Sequence, residues 1–118
     1  MQLDSTDARV LDSIADDHYG LWEIADYFAQ LRPAMGRNAS DKRSRIRMTQ
    51  YVQAGFANVF VGNFQKGVFE KAADELALLK EPASWQRPTS ITDVVVAARA
   101  TPEAEAPVAN AWPKSELR

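Results

Sequence analysis

The sequence changes period once, at a single glycine, and that change limits the folds open to the chain. Up to Ala54 the pattern is helical, with Ser44, Met48, Tyr51 and Val52 sharing one face. Gly55 then offers a left-handed helix cap, and the run Phe56-Ala57-Asn58-Val59-Phe60-Val61 is β-branched and aromatic. Gly62 to Gly67 reads as a turn and Val68-Phe69 as a returning strand. A helix over about 40–54, opened by Ser40-Asp41, therefore runs straight into a β-hairpin.

Around this junction the spacing predicts three further helices. Leu3, Val10, Leu11 and Ile14 follow the capping cluster Asp4-Ser5-Thr6-Asp7 and predict a helix over about 5–16. Leu21, Ile24, Ala25, Phe28 and Leu31 predict a second, which stops at Arg32-Pro33 because the residue before proline disfavours helical backbone. Residues 33–40 read as a loop. Ala72, Ala73, Leu76 and Leu79 predict a helix over about 70–80 that Pro82 ends, with Trp85 folding back over the core. Past residue 88 the pattern weakens. Val94, Val95 and Val96 suit either a short helix capped by Ser90-Ile91-Thr92-Asp93 or a strand, and residues 101–113, rich in Pro, Ala and Glu, suit an extended or disordered tail. The expected fold is mainly α with a small β-hairpin, an α+β arrangement in which residues 1–88 form the domain. Residues 89–118 form a C-terminal tail, partly ordered or partner-binding.

Several chemistries are excluded early. The chain has no cysteine, so disulfides, thiolate zinc sites and cysteine nucleophiles are absent, and a reducing, cytoplasmic location is expected. Its first residues are acidic where a secretory leader is basic and then apolar, and no apolar run approaches membrane-spanning length. The one histidine, His18, lies beside Asp17 and Tyr19 in a predicted turn without clustered partners, and Asp16-Asp17 and Asp74-Glu75 lack the spacing of a calcium loop. Gly62 and Gly67 match no nucleotide-binding fingerprint. The expectation is a binding protein rather than an enzyme, with no metal and no small-molecule cofactor.

Charge is distributed unevenly. Residues 1–31 carry seven acids and one base, whereas residues 32–55 carry Arg32, Arg37, Lys42, Arg43, Arg45 and Arg47 against Asp41 alone. The basic block falls on the third predicted helix. Opposite its core side, Arg43, Ile46, Gln50 and Gln53 share a face, flanked by Lys42, Arg47 and Thr49.

The order helix, helix, loop, helix, glycine, hairpin resembles the winged helix-turn-helix superfamily over roughly residues 4–80. The string Met48-Thr49-Gln50-Tyr51-Val52-Gln53-Ala54-Gly55-Phe56-Ala57-Asn58-Val59 carries the resemblance, with Tyr51, Gly55 and Phe56 at the places where the family's third helix turns into its wing. The resemblance implies that the third helix enters a DNA major groove while the hairpin touches the neighbouring backbone. Double-stranded DNA is accordingly the first expected partner, and a small regulator or accessory factor the expected role. Lys42, Arg43, Arg45, Ile46, Arg47, Gln50, Gln53 and Lys66 are the candidate contacts: the cations for phosphate or guanine, the glutamines for adenine, Ile46 for a thymine methyl. Two other readings stand beside it. The basic residues form a solvated face or pair with acids of the first helix such as Asp12, Asp16 and Asp17, or the face around Ile46 binds protein. A protein-interaction module, dimeric or docked on a larger assembly, is the alternative function, with Trp22 and Trp112 as candidate contacts. Trp22, Tyr27 and Phe28 cannot all face one core, and Trp112 stands beside Pro113 in the tail.

Overall fold

A computed structural model describes residues 1–113. Asp4 opens helix α1 (Ser5–Ser13) through a reciprocal capping box: Asp7 N–H donates to the Asp4 carboxylate at 2.9 Å, and Asp4 N–H donates to the Asp7 carboxylate at 2.8 Å. A two-residue strand β1 (Tyr19–Gly20) follows and leads directly into α2 (Leu21–Leu31). After a 3-10 turn at Pro33–Met35, α3 (Arg37–Gln53) begins three residues earlier than the spacing predicts. Gly36, with φ at 83°, makes the break that lets it start there.

The far end of α3 is built as the sequence suggests. Gly55 takes φ of 80°, its N–H donates to the Val52 carbonyl at 3.1 Å, and Phe56 N–H donates to the Tyr51 carbonyl at 2.8 Å. That paired closure is a Schellman cap, and it turns the chain into the hairpin of β2 (Ala57–Asn63) and β3 (Val68–Lys71). Helix α4 (Glu75–Lys80) starts later than expected because Glu70 and Lys71 are taken up by pairing with Val61 and Phe60. Trp85 folds back as expected, its indole N–H donating to the Leu79 carbonyl at 2.9 Å.

The expected tail is where the structure departs most from the sequence reading. Val95 to Ala100 form β4, which lies in the middle of an antiparallel sheet of order β1-β4-β2-β3, pairing Ala98 with both Tyr19 and Val59. Residues 89–113 therefore complete the domain rather than trail from it; residues 114–118, the last of the expected tail, lie outside the described residues. Pro102–Ala104 make a 3-10 turn, and α5 (Glu105–Ala111) packs against α1. Three hydrogen bonds fix this corner: Ala100 N–H to the Ile14 carbonyl, Thr101 N–H to the Phe56 carbonyl, both at 2.9 Å, and the Thr101 hydroxyl to the Gly55 carbonyl at 2.6 Å. The glycine that caps α3 is thus also an anchor for β4.

Register and alternation assign the two faces of the sheet. Ala57, Val59 and Ala98 point to the helices and join a core of Val10, Leu11, Ile14, Leu21, Ile24, Phe28, Met48, Tyr51 and Leu79. Each large member stabilises the fold by about 1.5–3 kcal/mol through burial. The other face carries Gly20, Phe60, Gly62, Phe69 and Ala97. The architecture is α+β, and among the described residues no helix is long and apolar enough to cross a membrane. Truncation after residue 88 removes the strand that joins β1 to β2, so the shortened chain is expected to lose its cooperative thermal transition by circular dichroism; a folded 1–88 fragment would contradict the sheet order.

Candidate functional site

The basic block meets acid inside the molecule. Asp7 has no solvent exposure, and its carboxylate receives the Arg47 guanidinium through Nε at 2.9 Å and through Nη2, as well as the Tyr51 hydroxyl, besides the capping bond from Asp4 N–H. Arg47 and Tyr51, four apart on α3, sit on one side of the helix and reach α1 together. The hydrogen bond to Asp7 raises the Arg47 pKa despite burial, and burial, reinforced by Asp7, pushes the Tyr51 phenol far above its usual range. Both groups therefore keep their protons and act as donors. Arg47 also donates to the Gln50 side chain at 2.6 Å, and Arg43 to the Asp4 carboxylate at 2.7 Å. Burial disfavours the Asp4 charge, yet the Asp7 N–H and Arg43 together hold its pKa below the usual value. Arg37 pairs with Asp26 and Asp41 at 2.8 and 2.9 Å.

These contacts divide the sequence-derived candidates. Arg43 and Arg47 turn toward α1 and brace the helix junction, and Gln50 is engaged by Arg47, so the four residues expected to point outward together do not. The acids they meet are Asp4 and Asp7, not Asp12, Asp16 or Asp17. The outward stripe of α3 is instead Lys42, Arg45, Ile46, Thr49 and Gln53, spaced three, one, three and four apart. Lys42 and Arg45 have no ion-pair partner among the described residues, and Ile46 is 48% exposed. Lys66 lies in the turn between β2 and β3, at the end of β2 remote from α3.

Trp22 is half-buried in an aromatic layer on the sheet face away from the helices. A side chain at Gly20 would collide with its ring, so glycine there lets the indole lie across β1. Phe64 meets Trp22 edge-on at 5.9 Å and Phe69 at 5.0 Å, while His18 stacks on Phe69 at 4.6 Å and meets Phe60 edge-on at 4.4 Å. Burial, and then the charge of Arg99, lowers the His18 pKa against the pull of Asp17. Trp112 is not a free anchor: the Arg9 guanidinium lies over its ring, 5.9 Å from the centroid.

A second surface, which the sequence reading passed over, forms where the hairpin turn meets residues 89–94. Phe64, Val68, Ile91 and Val94 are 38, 58, 68 and 72% exposed. Phe64 and Ile91 border one depression, and the Asn63 side chain donates to the Thr92 carbonyl at 2.7 Å, tying the two segments together. Asp93 accepts from the Thr89 and Ser90 N–H groups at 3.0 Å, which fixes the loop. The signal available in the sequence was large apolar residues inside segments whose neighbours are turn formers.

No known family model, curated protein or solved structure matches the chain. The site must be judged on its own chemistry.

Replacing Arg47 by Leu leaves the Asp7 carboxylate buried without its counter-charge, an expected loss of about 3–5 kcal/mol, whereas Lys42→Leu on the outward stripe is expected to cost under about 0.5 kcal/mol. Urea denaturation of the two variants measures the contrast; equal losses would remove the assigned division. His18 supplies a pH dependence. Its folded pKa lies below the usual 6.5, so the unfolded chain takes up the proton more readily, and the stability of the neutral ring is complete above about pH 6.5 and falls as pH drops through that value. Thermal melts from about pH 7 to pH 5 are expected to show a fall in midpoint that His18→Phe reduces.

Proposed function

We propose that the chain is a protein-interaction domain that self-associates through the hairpin end. The observation that carries this reading is that Phe64 and Ile91, 38 and 68% exposed, border one depression at the hairpin end, with Val68 and Val94 exposed in the same two segments. Apolar side chains scattered singly over a surface need no explanation, whereas a contiguous group of them is characteristic of an interface. Here the group is also held in place. The Asn63 to Thr92 bond and the two N–H groups bound by Asp93 fix the backbone beforehand, so docking orders little that is not already ordered. A second copy is the proposed occupant, since the same apolar patch on two copies can meet across a two-fold axis and close the pair. The internal neutralisation of Arg43 and Arg47 supports the same ranking, since it removes two of the cations on which a DNA footprint would depend.

A second reading keeps a specific observation. Lys42, Arg45, Ile46, Thr49 and Gln53 form a stripe on a 17-residue helix, with two cations that have no ion-pair partner among the described residues, and a helix of this kind suits a major groove. Winged-helix DNA contact through this stripe is therefore proposed as the alternative, in a regulator or accessory factor.

Light scattering at roughly 100 µM protein is expected to give a mass near twice 13.1 kDa, and Ile91→Asp with Val94→Asp to return it to the monomer without changing the far-ultraviolet spectrum. A monomer throughout removes the first reading. For the second, anisotropy with a duplex at low salt is expected to show binding that Lys42→Glu with Arg45→Glu abolishes; binding unchanged in that variant removes it.

A further inference from the structure

A groove between α1 and α5 offers a separate site. It encloses about 400 Å³, within the range of small-molecule sites, and its walls are Leu11, Ala100, Ala104, Val108 and Trp112. The space exists because alanines stand at the facing positions where α5 and the end of β4 cross α1, so the helices meet without filling the gap. Trp112 closes one end, and its ring is steadied by Arg9.

The charged side chains that line this groove are both acidic; the Thr101 hydroxyl, also at its wall, donates to the Gly55 carbonyl, and Arg9 lies over the Trp112 ring at one end. Asp12 on α1 and Glu105 at the start of α5 both border it, both are exposed, and neither has a hydrogen-bonded or ion-paired cation among the described residues. The other acids near helix junctions are used: Asp4 and Asp7 by Arg43 and Arg47, Asp26 by Arg37 and Arg87. Apolar walls with two unpaired carboxylates at the rim complement a molecule with an apolar body and a positive head.

We infer that the α1–α5 groove binds a small cationic amphiphile, a ligand with an apolar chain or ring and one ammonium group. The apolar body occupies the space along Leu11, Ala104, Val108 and Trp112. The ammonium stands between Asp12 and Glu105, partly desolvated by the same walls. This site is distant in sequence from the hairpin end and does not depend on self-association.

Three eight-carbon probes test the assignment on the full chain by amide chemical-shift titration: octylamine, octanol and octanoate. Octylamine is expected to give saturable shifts confined to α1 and residues 100–112, with octanol about fivefold weaker and octanoate weaker still. Asp12→Asn with Glu105→Gln, both at exposed positions, is expected to bring octylamine down to the octanol value while leaving octanol unchanged. Ala109→Leu, exposed on α5 beside the groove, is expected to weaken all three by filling the space. Absence of saturable octylamine shifts, shifts spread over the whole chain, or an octylamine affinity that survives loss of both carboxylates would each overturn the proposal.

Discussion

A single buried carboxylate governs how this chain uses its charge. Asp7 begins as a capping residue of α1, a role its position three residues after Asp4 already suggests, and then receives Arg47 and Tyr51 from α3. A charge without solvent exposure is tolerable only where its lone pairs are filled, and here the backbone, a guanidinium and a phenol fill them. The consequence reaches beyond stability. Because Arg47 and Arg43 are directed to α1, the solvent side of α3 keeps Lys42 and Arg45 as cations without an ion-pair partner among the described residues, and a block that looks like an electrostatic footprint in the sequence is largely a clasp between two helices.

The sheet distributes the rest of the surface. With β4 between β1 and β2, one face is committed to the helical core and the other to the layer of His18, Trp22, Phe60, Phe64 and Phe69. That layer explains how Trp22 and Phe28 coexist on one short helix: Phe28 enters the main core, while Trp22 reaches back over Gly20 to the opposite side of the sheet. It also continues to Phe64 at the hairpin turn, where the half-buried aromatic layer reaches the exposed depression that Phe64 shares with Ile91.

What could be read from the sequence was what local rules control. The period change at Gly55, the caps at Asp4 and Gly55, the bounds of α2 and the return of Trp85 all follow from neighbours in the chain. The inward face of Ser44, Met48 and Tyr51 was equally legible. The destination of β4 was not, because Val94-Val95-Val96 has the same composition whether it lies in a sheet or a tail, and its partners Tyr19 and Val59 are remote. The orientation of Arg47 was legible in part: it is four residues from Tyr51 and must share its side of the helix, but its partner Asp7 is identified only once the helices are packed. The apolar group at the hairpin end depends on the meeting of two loops, and no periodicity marks such a meeting.

The central place of β4 also sets the order in which the chain is able to assemble. The hairpin pairs residues close in sequence and closes early, whereas β1 waits for a partner about 80 residues away. During synthesis the two-residue strand at Tyr19 has no neighbour to bond until nearly all of the chain has been made. The acidic first helix and the basic third helix can meet before then, so charge attraction brings the ends of the helical layer together while the sheet is still open, and the last strand inserted is the one that locks them.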